Sequence, residues 1–215
     1  TLRLASGGYI GGGIYHSQNL EGALSTLPGA RIVYPSFADD AAGLLRTSMR
    51  SKGFTLFLEP KALYNSVEAA CVVPDDFEVP FGKARIRREG NDLTIITYGN
   101  TTHLCLKVAE RLANENNVSC EVIDLRSLIP LDKETIFESV KKTSKVLIVH
   151  EDKVFSGFGA ELAAMIGTEL FQYLDAPIQR VGSVFTPVGF HPKLERAILP
   201  DTDRIYKSAT ELLAY

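Results

Sequence analysis

The sequence predicts an α/β fold in which mostly parallel sheets are covered by helices on both faces. Short apolar runs recur along the chain, and segments with helical periodicity separate them. Strands that are joined through helices run parallel, because an antiparallel pair needs only a short turn. The apolar runs also lack polar alternation, which is typical of strands buried on both faces.

The first third of the sequence contains one parallel crossover unit. We predict strands at residues 31–34 and 54–58, with a helix between them that Ser36 caps and Gly53 ends. Residues 20–27 carry a shorter helical period before the first of these strands.

From residue 93 onward, the strand and helix pattern becomes regular. Apolar runs bounded by polar turns alternate with amphipathic segments, which predicts a second α/β unit. We place strands at 93–98, 118–125, 145–150 and 178–184, and helices at 100–116, 132–142, 157–173, 193–199 and 203–213.

Between these units the periodicity fades, and prolines, glycines and acidic residues cluster. We therefore predict a first domain at residues 1–65, a junction at 66–92 and a second domain at 93–215. Because the sequence opens at Thr1, without an initiator Met and inside an apolar-leaning run, we expect residues 1–65 to be the C-terminal part of a larger domain.

Charge, hydropathy and cysteine content argue against several functional classes. The net charge is −3, so the chain lacks the basic balance that binding to nucleic acid requires. No apolar stretch approaches the length of a membrane span. Cys71, Cys105 and Cys120 are widely spaced and odd in number, which favours buried thiols in a reducing compartment.

Four collinear blocks carry a resemblance to a known family. They are residues 11–18 (GGGIYHSQ), 57–64 (FLEPKALY), 124–132 (DLRSLIPLD), and 149–151 (VHE) with 157–159 (GFG). Their order and spacing resemble those of beta subunits of thiamin-diphosphate-dependent 2-oxoacid dehydrogenases, in the transketolase superfamily. The resemblance implies the C-terminal part of a pyrimidine-binding domain followed by a transketolase C-terminal-type domain.

The resemblance also implies a function. The family catalyses oxidative decarboxylation of a 2-oxo acid and acyl transfer to lipoamide. Tyr15 and the run Glu59-Pro60-Lys61 resemble the branched-chain members, which act on 2-oxoisovalerate and related acids in branched-chain amino acid catabolism. The alternatives are a pyruvate or acetoin dehydrogenase beta subunit, a deoxyxylulose-phosphate synthase, or a non-enzymatic assembly and docking module.

In this family the cofactors are thiamin diphosphate and magnesium, and the residues that bind them are expected outside this chain. The implied partners are an alpha subunit (or the alpha part of a fused chain), a second beta copy that completes a heterotetramer, and the lipoyl acyltransferase core. The implied location is the bacterial cytoplasm or the mitochondrial matrix. The chain alone is expected to be inactive.

His16 is the catalytic candidate, because an imidazole can give a proton to the departing lipoyl thiolate near neutral pH. Tyr15 and Gln18 are candidates for orienting it. The alternative is a histidine that only satisfies backbone groups in a glycine-rich loop. The loop, residues 7–13, lacks the spacing of a phosphate-binding motif, and no strand is predicted before it, so we interpret its glycines as allowing tight packing around His16.

A second candidate site is a potassium site at the end of the helix before Gly53. By resemblance, its ligands would be the carbonyls of Ser48, Met49, Ser51 and Gly53. The alternative is an ordinary helix end capped by glycine. We expect structural or interface roles for the remaining histidines and the acid beside one of them: His103, His150, Glu151 and His191.

Overall fold

The computed structural model describes residues 1–215 and contains nine strands and eight α-helices. The strands are β1 (Leu2–Ser6), β2 (Arg31–Val33), β3 (Thr55–Pro60), β4 (Arg85–Arg88), β5 (Leu93–Thr97), β6 (Cys120–Asp124), β7 (Ser127–Ile129), β8 (Val146–Lys153) and β9 (Gln179–Ser183). The helices are α1 (Gly13–His16), α2 (Glu21–Leu24), α3 (Ala38–Arg50), α4 (Asn100–Asn116), α5 (Lys133–Thr143), α6 (Phe158–Glu169), α7 (Pro192–Ile198) and α8 (Thr202–Leu213).

The strands form two sheets, which confirms the predicted α/β class. The first sheet has the order β1-β3-β2-β7 and the second has the order β4-β6-β5-β8-β9. All neighbouring strands are parallel except the edge strands β7 and β4, each of which pairs antiparallel with its neighbour. The strands of the second sheet between β4 and β9 are almost entirely buried, as continuous apolar runs predict.

Three strands were not predicted. β1, β4 and β7 are only three to five residues long and lie at sheet edges, and segments this short give a weak periodic signal. The expectation that no strand precedes the glycine-rich loop is wrong, because β1 pairs with β3 from Leu2 to Ser6. The loop therefore leaves the carboxyl end of a parallel strand.

The predicted junction is partly built into the second sheet. β4 lies inside residues 66–92 and pairs with β6, whereas β7, from the second unit, completes the first sheet. One apolar core also joins the units, since Ile32 and Leu56 pack in the same cluster as Ile96, Ile148 and Ile166. The two units therefore share a core, and the boundaries at 65 and 93 stay predictions.

Helix ends depend on contacts that are distant in sequence. Asp132 caps α5 as predicted, with its carboxylate accepting from the Thr135 amide. The predicted Ser36 cap is wrong: Phe37 precedes α3 at the N-cap position, and the Ser36 hydroxyl donates instead to buried Asp124 at 2.9 Å. Tertiary contact with the second unit thus replaces the local cap.

Helix α6 is shorter than predicted, ending at Glu169 before a single 3₁₀ turn. Its apolar side chains mainly enter the core that the units share, and Phe171 in the following turn is 77% exposed.

Cys71 is exposed, so the expectation of buried thiols holds only for Cys105 and Cys120. None of the eight helices combines the length and the hydrophobicity that crossing a bilayer requires.

A buried ion network joins the two units. The carboxylates of Asp40 and Asp124 are fully buried, and the guanidinium groups of Arg87 and Arg126 bond to them. Arg126 also donates to the backbone carbonyls of Lys83 and Ala84 on the approach to β4. Asp40 lies on α3 and Asp124 on β6, so this ion network fastens the first sheet's helix to the second sheet.

We expect limited proteolysis to cut first within residues 70–76. This segment is exposed and lies outside helices and strands, which is where protease accessibility concentrates. Elastase is the suitable enzyme because the segment offers Ala70 and Val72 but no Lys or Arg, whereas Pro74 blocks cleavage after Val73. Gel and mass analysis should yield two fragments, and first cleavage inside the loop at residues 7–19 would contradict the prediction.

Candidate active-site loop

The candidate catalytic histidine lies on the loop that connects β1 to α2. This loop, residues 7–19, is interrupted by the single turn of α1, which ends at His16. The His16 amide donates to the Gly12 carbonyl at 3.2 Å, which fixes the turn. The His16 side chain is exposed, whereas its neighbour Ser17 is fully buried. The loop therefore presents an imidazole to solvent from an anchored backbone.

Two glycines of the loop are required by close packing. A Cβ on Gly12 would lie 2.7 Å from the Cβ of His16, which is closer than real side chains approach. Gly13 has a φ of +58° and lies against Phe190, which would be 3.2 Å from an added Cβ. These contacts agree with the interpretation that the glycines allow tight packing around His16.

The second unit supplies a carboxylate that binds this loop from one side. Glu195, on α7, accepts from the amides of Ile10 and Gly11 at 3.2 and 3.1 Å and from the Ser17 hydroxyl at 3.2 Å. Ser17 in turn accepts from the Gly12 amide at 3.0 Å. Glu195 was not among the predicted site residues. The sequence offers one signal for it: Glu195 lies four positions before Leu199, which is buried, so both side chains lie on the same inward face of a short helix.

A second buried carboxylate, that of Glu151 at the end of β8, reaches the same loop. It accepts from the Gly8 amide and from the Asn19 side chain, the latter at 2.9 Å. Asn19 also accepts from the Ser6 and Tyr34 hydroxyls at 3.1 and 3.0 Å. Burial raises the pKa of Glu151, while the bond from Gly8 opposes that rise. The predicted structural role of Glu151 thus involves the candidate active-site loop itself.

The structure places the two candidate orienting residues differently. Tyr15 is 83% exposed beside His16. The Gln18 side chain accepts from the Lys153 ammonium at 2.9 Å, and its backbone carbonyl accepts from the Gly7 amide at 3.3 Å. Gln18 therefore links the loop to β8, and its role toward His16 stays a prediction.

Behind the loop lies a buried acidic side chain, Glu21 of α2. It is completely buried, and Tyr98 donates to one of its oxygens at 3.1 Å while the other has no partner. Burial, reinforced by the nearby charge of Asp152, raises the pKa of Glu21 to about 8. Asp152 itself accepts from the Gly22 amide at 3.1 Å.

His150 fills the core beneath this acidic group. It is fully buried, its ring nitrogens have no side-chain partner, and its ring stacks parallel to Tyr98 with centroids 6.4 Å apart. Burial and the charge of Arg180 lower the pKa of His150 to about 4. Three glycines, Gly157, Gly159 and Gly182, lie so close to the ring that a Cβ on any of them would collide with it or with nearby backbone. These contacts fit the predicted structural role.

We expect Glu21→Gln to remove a loss of stability that the wild type undergoes as the pH rises toward 8. Glu21 has a pKa of about 8 in the folded state against 4.5 for an ordinary glutamate, so its contribution to stability is lost as the pH rises toward 8. Between pH 6.5 and 8 the wild-type free energy of unfolding should fall by roughly 1–2 kcal/mol from this group alone. Urea unfolding across this range measures it.

The neutral amide that this substitution introduces cannot ionise, so the free energy of unfolding of the variant should depend less on pH above pH 6.5. As the pH falls below 6.5, buried His150 lowers the free energy of unfolding of both proteins, because its folded pKa of about 4 lies below the ordinary 6.5. Exposed Glu161→Gln is the control and should follow the wild type. A decline in Glu21→Gln as steep as in the wild type would show that another buried acid is responsible, and Glu151, whose pKa burial also raises, would be the first to test.

The candidate potassium turn follows α3. The Ser48 carbonyl accepts from the Thr1 hydroxyl at 3.0 Å, and the Arg31 guanidinium donates to the Lys52 carbonyl. Gly53 has a φ of +96°, and a Cβ there would be 3.0 Å from Arg31. The Arg31 guanidinium thus already bonds one carbonyl of this turn, that of Lys52, and the role of the Ser48, Met49, Ser51 and Gly53 carbonyls as potassium ligands stays a prediction. No group of three His, Cys, Asp or Glu side chains converges to hold a metal ion.

Similarity to known proteins agrees with this architecture. Residues 1–67 match the transketolase pyrimidine binding domain, and residues 82–205 match the transketolase C-terminal domain. The solved structure of a split-gene transketolase, described as an inactive beta4 tetramer, superposes with a TM-score of 0.77 at 21% identity, over 99% of this chain and 66% of that chain.

Several curated relatives are more similar in sequence. The 2-oxoisovalerate dehydrogenase subunit beta of Bacillus subtilis is 39% identical over 100% of this chain and 65% of its own length. The mitochondrial 2-oxoisovalerate dehydrogenase subunit beta of Dictyostelium discoideum is 40% identical, over 100% of this chain and 57% of its own length. The pyruvate dehydrogenase E1 component subunit beta of Rickettsia felis is 41% identical over 93% of this chain and 60% of its own length.

The chain therefore spans about three fifths of the length of these relatives. The matched domains follow one another in the order in which the two α/β units occur in the fold. Since the match to the C-terminal domain alone covers more than half of the 215 residues, the chain belongs to the transketolase family, with a pyrimidine-binding region followed by a transketolase C-terminal domain.

Proposed function

We propose that this chain is the His16-bearing part of the decarboxylating component of a 2-oxoacid dehydrogenase complex. One observation carries the proposal: an exposed histidine stands on a loop that both units anchor, in a chain about 40% identical to beta subunits of such enzymes. We propose that the reaction is oxidative decarboxylation of a 2-oxo acid, followed by acyl transfer to lipoamide.

The role of His16 is proton transfer. Thiamin diphosphate, when bound, supplies the nucleophilic carbon and the electron sink that decarboxylation requires. Acyl transfer to a lipoyl disulfide then leaves one sulfur as a thiolate, which needs a proton. An imidazole meets this need near neutral pH, provided that it is accessible to the lipoyl group and held in place. The His16 side chain is exposed and its backbone is anchored, which supports this role.

The carboxylates next to the loop are buried, and each accepts a hydrogen bond from a protein group through at least one oxygen. Glu151 and Glu195 accept from loop amides, and Glu21 is buried beneath Tyr98. We therefore propose that the groups holding the cofactor ring, its diphosphate and magnesium belong to other parts of the enzyme. The partners would be an alpha subunit or a fused alpha part, a second beta copy and the lipoyl acyltransferase core.

We propose a branched-chain 2-oxo acid as substrate. Tyr15 and the run Glu59-Pro60-Lys61 support it, whereas overall identity does not rank the substrates, because branched-chain, pyruvate and acetoin relatives are 38–41% identical. The test is to assemble the enzyme with its alpha partner and to compare kcat/KM for 2-oxoisovalerate and pyruvate. A preference for pyruvate would overturn the substrate assignment while leaving the reaction class intact.

We expect the isolated chain to bind thiamin diphosphate weakly or not at all. The physical reason is that the two carboxylates that bind the loop, Glu151 and Glu195, already accept from loop amides, and no group of three acidic side chains converges to hold magnesium. Calorimetry with cofactor and magnesium should show no stoichiometric site in the chain alone and one in the assembled enzyme. A tight site in the isolated chain would contradict the proposed division between subunits.

A further inference from the structure

The loop that carries His16 depends on the second unit for most of its anchors. The Tyr9 hydroxyl donates to the Pro200 carbonyl at 2.6 Å, and Gly13 packs against Phe190. Glu151 and Glu195 bind further donors of the loop. All four of these partners lie beyond residue 92, although His16 belongs to the first unit in sequence. The backbone of the loop is therefore held largely by the transketolase C-terminal domain.

Glu195 is the central contact of this set. Three donors of the loop converge on its carboxylate, from Ile10, Gly11 and Ser17, and they flank the turn of α1 on both sides. Glu195 is 6% exposed and forms no ion pair with any Lys, Arg or His. A buried carboxylate without a cation is costly, and here only groups of the loop compensate it. Its charge thus acts specifically on the loop.

The connection from Glu195 to His16 is short. Glu195 accepts from the Ser17 hydroxyl, that hydroxyl accepts from the Gly12 amide, and the Gly12 carbonyl accepts from the His16 amide. Ser17 also follows His16 directly and bonds through its own amide to the Gly13 carbonyl at 3.1 Å. Loss of the carboxylate would free both ends of the single turn that presents the imidazole.

We propose that Glu195 is a positioning residue for His16, through which the C-terminal domain sets the geometry of proton transfer. The inference rests on the proposed function in one respect, since that function assigns to His16 the reaction whose rate is measured. Displacing a catalytic group by about 1 Å can lower a rate by on the order of 10²-fold without preventing binding of the substrate. We therefore expect Glu195→Ala to lower the rate of acyl transfer by roughly 10- to 100-fold, with KM for the 2-oxo acid changed by less than about threefold.

The experiment compares Glu195→Ala, Glu195→Gln and a control in the assembled enzyme. Glu195→Gln keeps one oxygen acceptor for the loop and should recover a large part of the lost rate. Glu121→Gln is the matched control, because Glu121 is a buried carboxylate of the same unit that bonds Lys142 and Gly90 instead of the loop. Single-turnover acyl transfer to lipoamide is measured for each protein, alongside decarboxylation.

Amide hydrogen exchange of the chain alone gives a readout independent of activity. In Glu195→Ala the amides of Ile10, Gly11 and His16 should exchange at least about tenfold faster, while those of buried β5 stay unchanged. Unchanged exchange at these amides would overturn the proposal, and so would faster exchange with normal acyl transfer. Equal rate losses in Glu195→Ala and Glu121→Gln would reduce Glu195 to a general stabilising role.

The same data separate this inference from the proposed function. If the assembled wild-type enzyme transfers no acyl group, the proposed function fails, and with it the catalytic part of the inference. If the wild type is active but Glu195→Ala is equally active, only the inference fails.

Discussion

In the assembled enzyme, His16→Ala should lower the rate of acyl transfer to lipoamide by on the order of 10²–10⁴, the usual effect of losing a positioned acid. Decarboxylation should fall much less, because the departing lipoyl thiolate needs a proton from the protein, whereas the early chemistry is supplied mainly by the cofactor. Single-turnover measurements of the two steps, with saturating 2-oxo acid, distinguish these effects.

Ile14→Ala is the matched control for this variant. Ile14 lies on the same turn and its side chain is 54% exposed, so truncating it changes the surface of the turn without removing an ionisable group or a hydrogen bond of the turn. It should leave acyl transfer within a few-fold of the wild type. Equal losses in both steps for His16→Ala would mean that His16 positions the substrate instead of transferring a proton.

Asp40→Ala should destabilise the chain by about 3–5 kcal/mol, because it leaves the buried Arg126 guanidinium without its carboxylate and removes one of the two carboxylates that pair with Arg87. Asp40 is fully buried and pairs with both Arg87 and Arg126. A domain of this kind has roughly 5–15 kcal/mol of stability, so the variant should lose a large fraction of it. Urea unfolding followed by circular dichroism measures the difference.

The control is Asp203→Asn, which removes an exposed partner of Arg111. Exposed pairs contribute about 0–1 kcal/mol, so this variant should unfold close to the wild type. If Asp40→Ala lost less than about 1 kcal/mol, the buried ion network would not be what fastens α3 to the second sheet.

Local patterns of residues were sufficient to predict the class of the fold, and the resemblance of four sequence blocks pointed to the family. Apolar runs separated by helical periods predicted the buried parallel strands β5, β6 and β8, because the side-chain pattern of such strands is local. The Asp132 cap could likewise be predicted, since it depends on a hydrogen bond to a residue only three positions away. The block that contains His16 was distinctive enough to mark the candidate catalytic residue.

The surroundings of that residue depend on contacts that form only when the chain is packed. The short edge strands β1, β4 and β7 exist through pairing with distant partners, and Ser36 bonds Asp124 instead of capping α3. Glu195 reaches the Ser17 hydroxyl across 178 residues, and no local pattern encodes such a contact. The raised pKa of Glu21 arises because folding removes it from water beside Asp152. Burial and contacts between distant segments are properties of the packed chain, so they enter only when both units share one core.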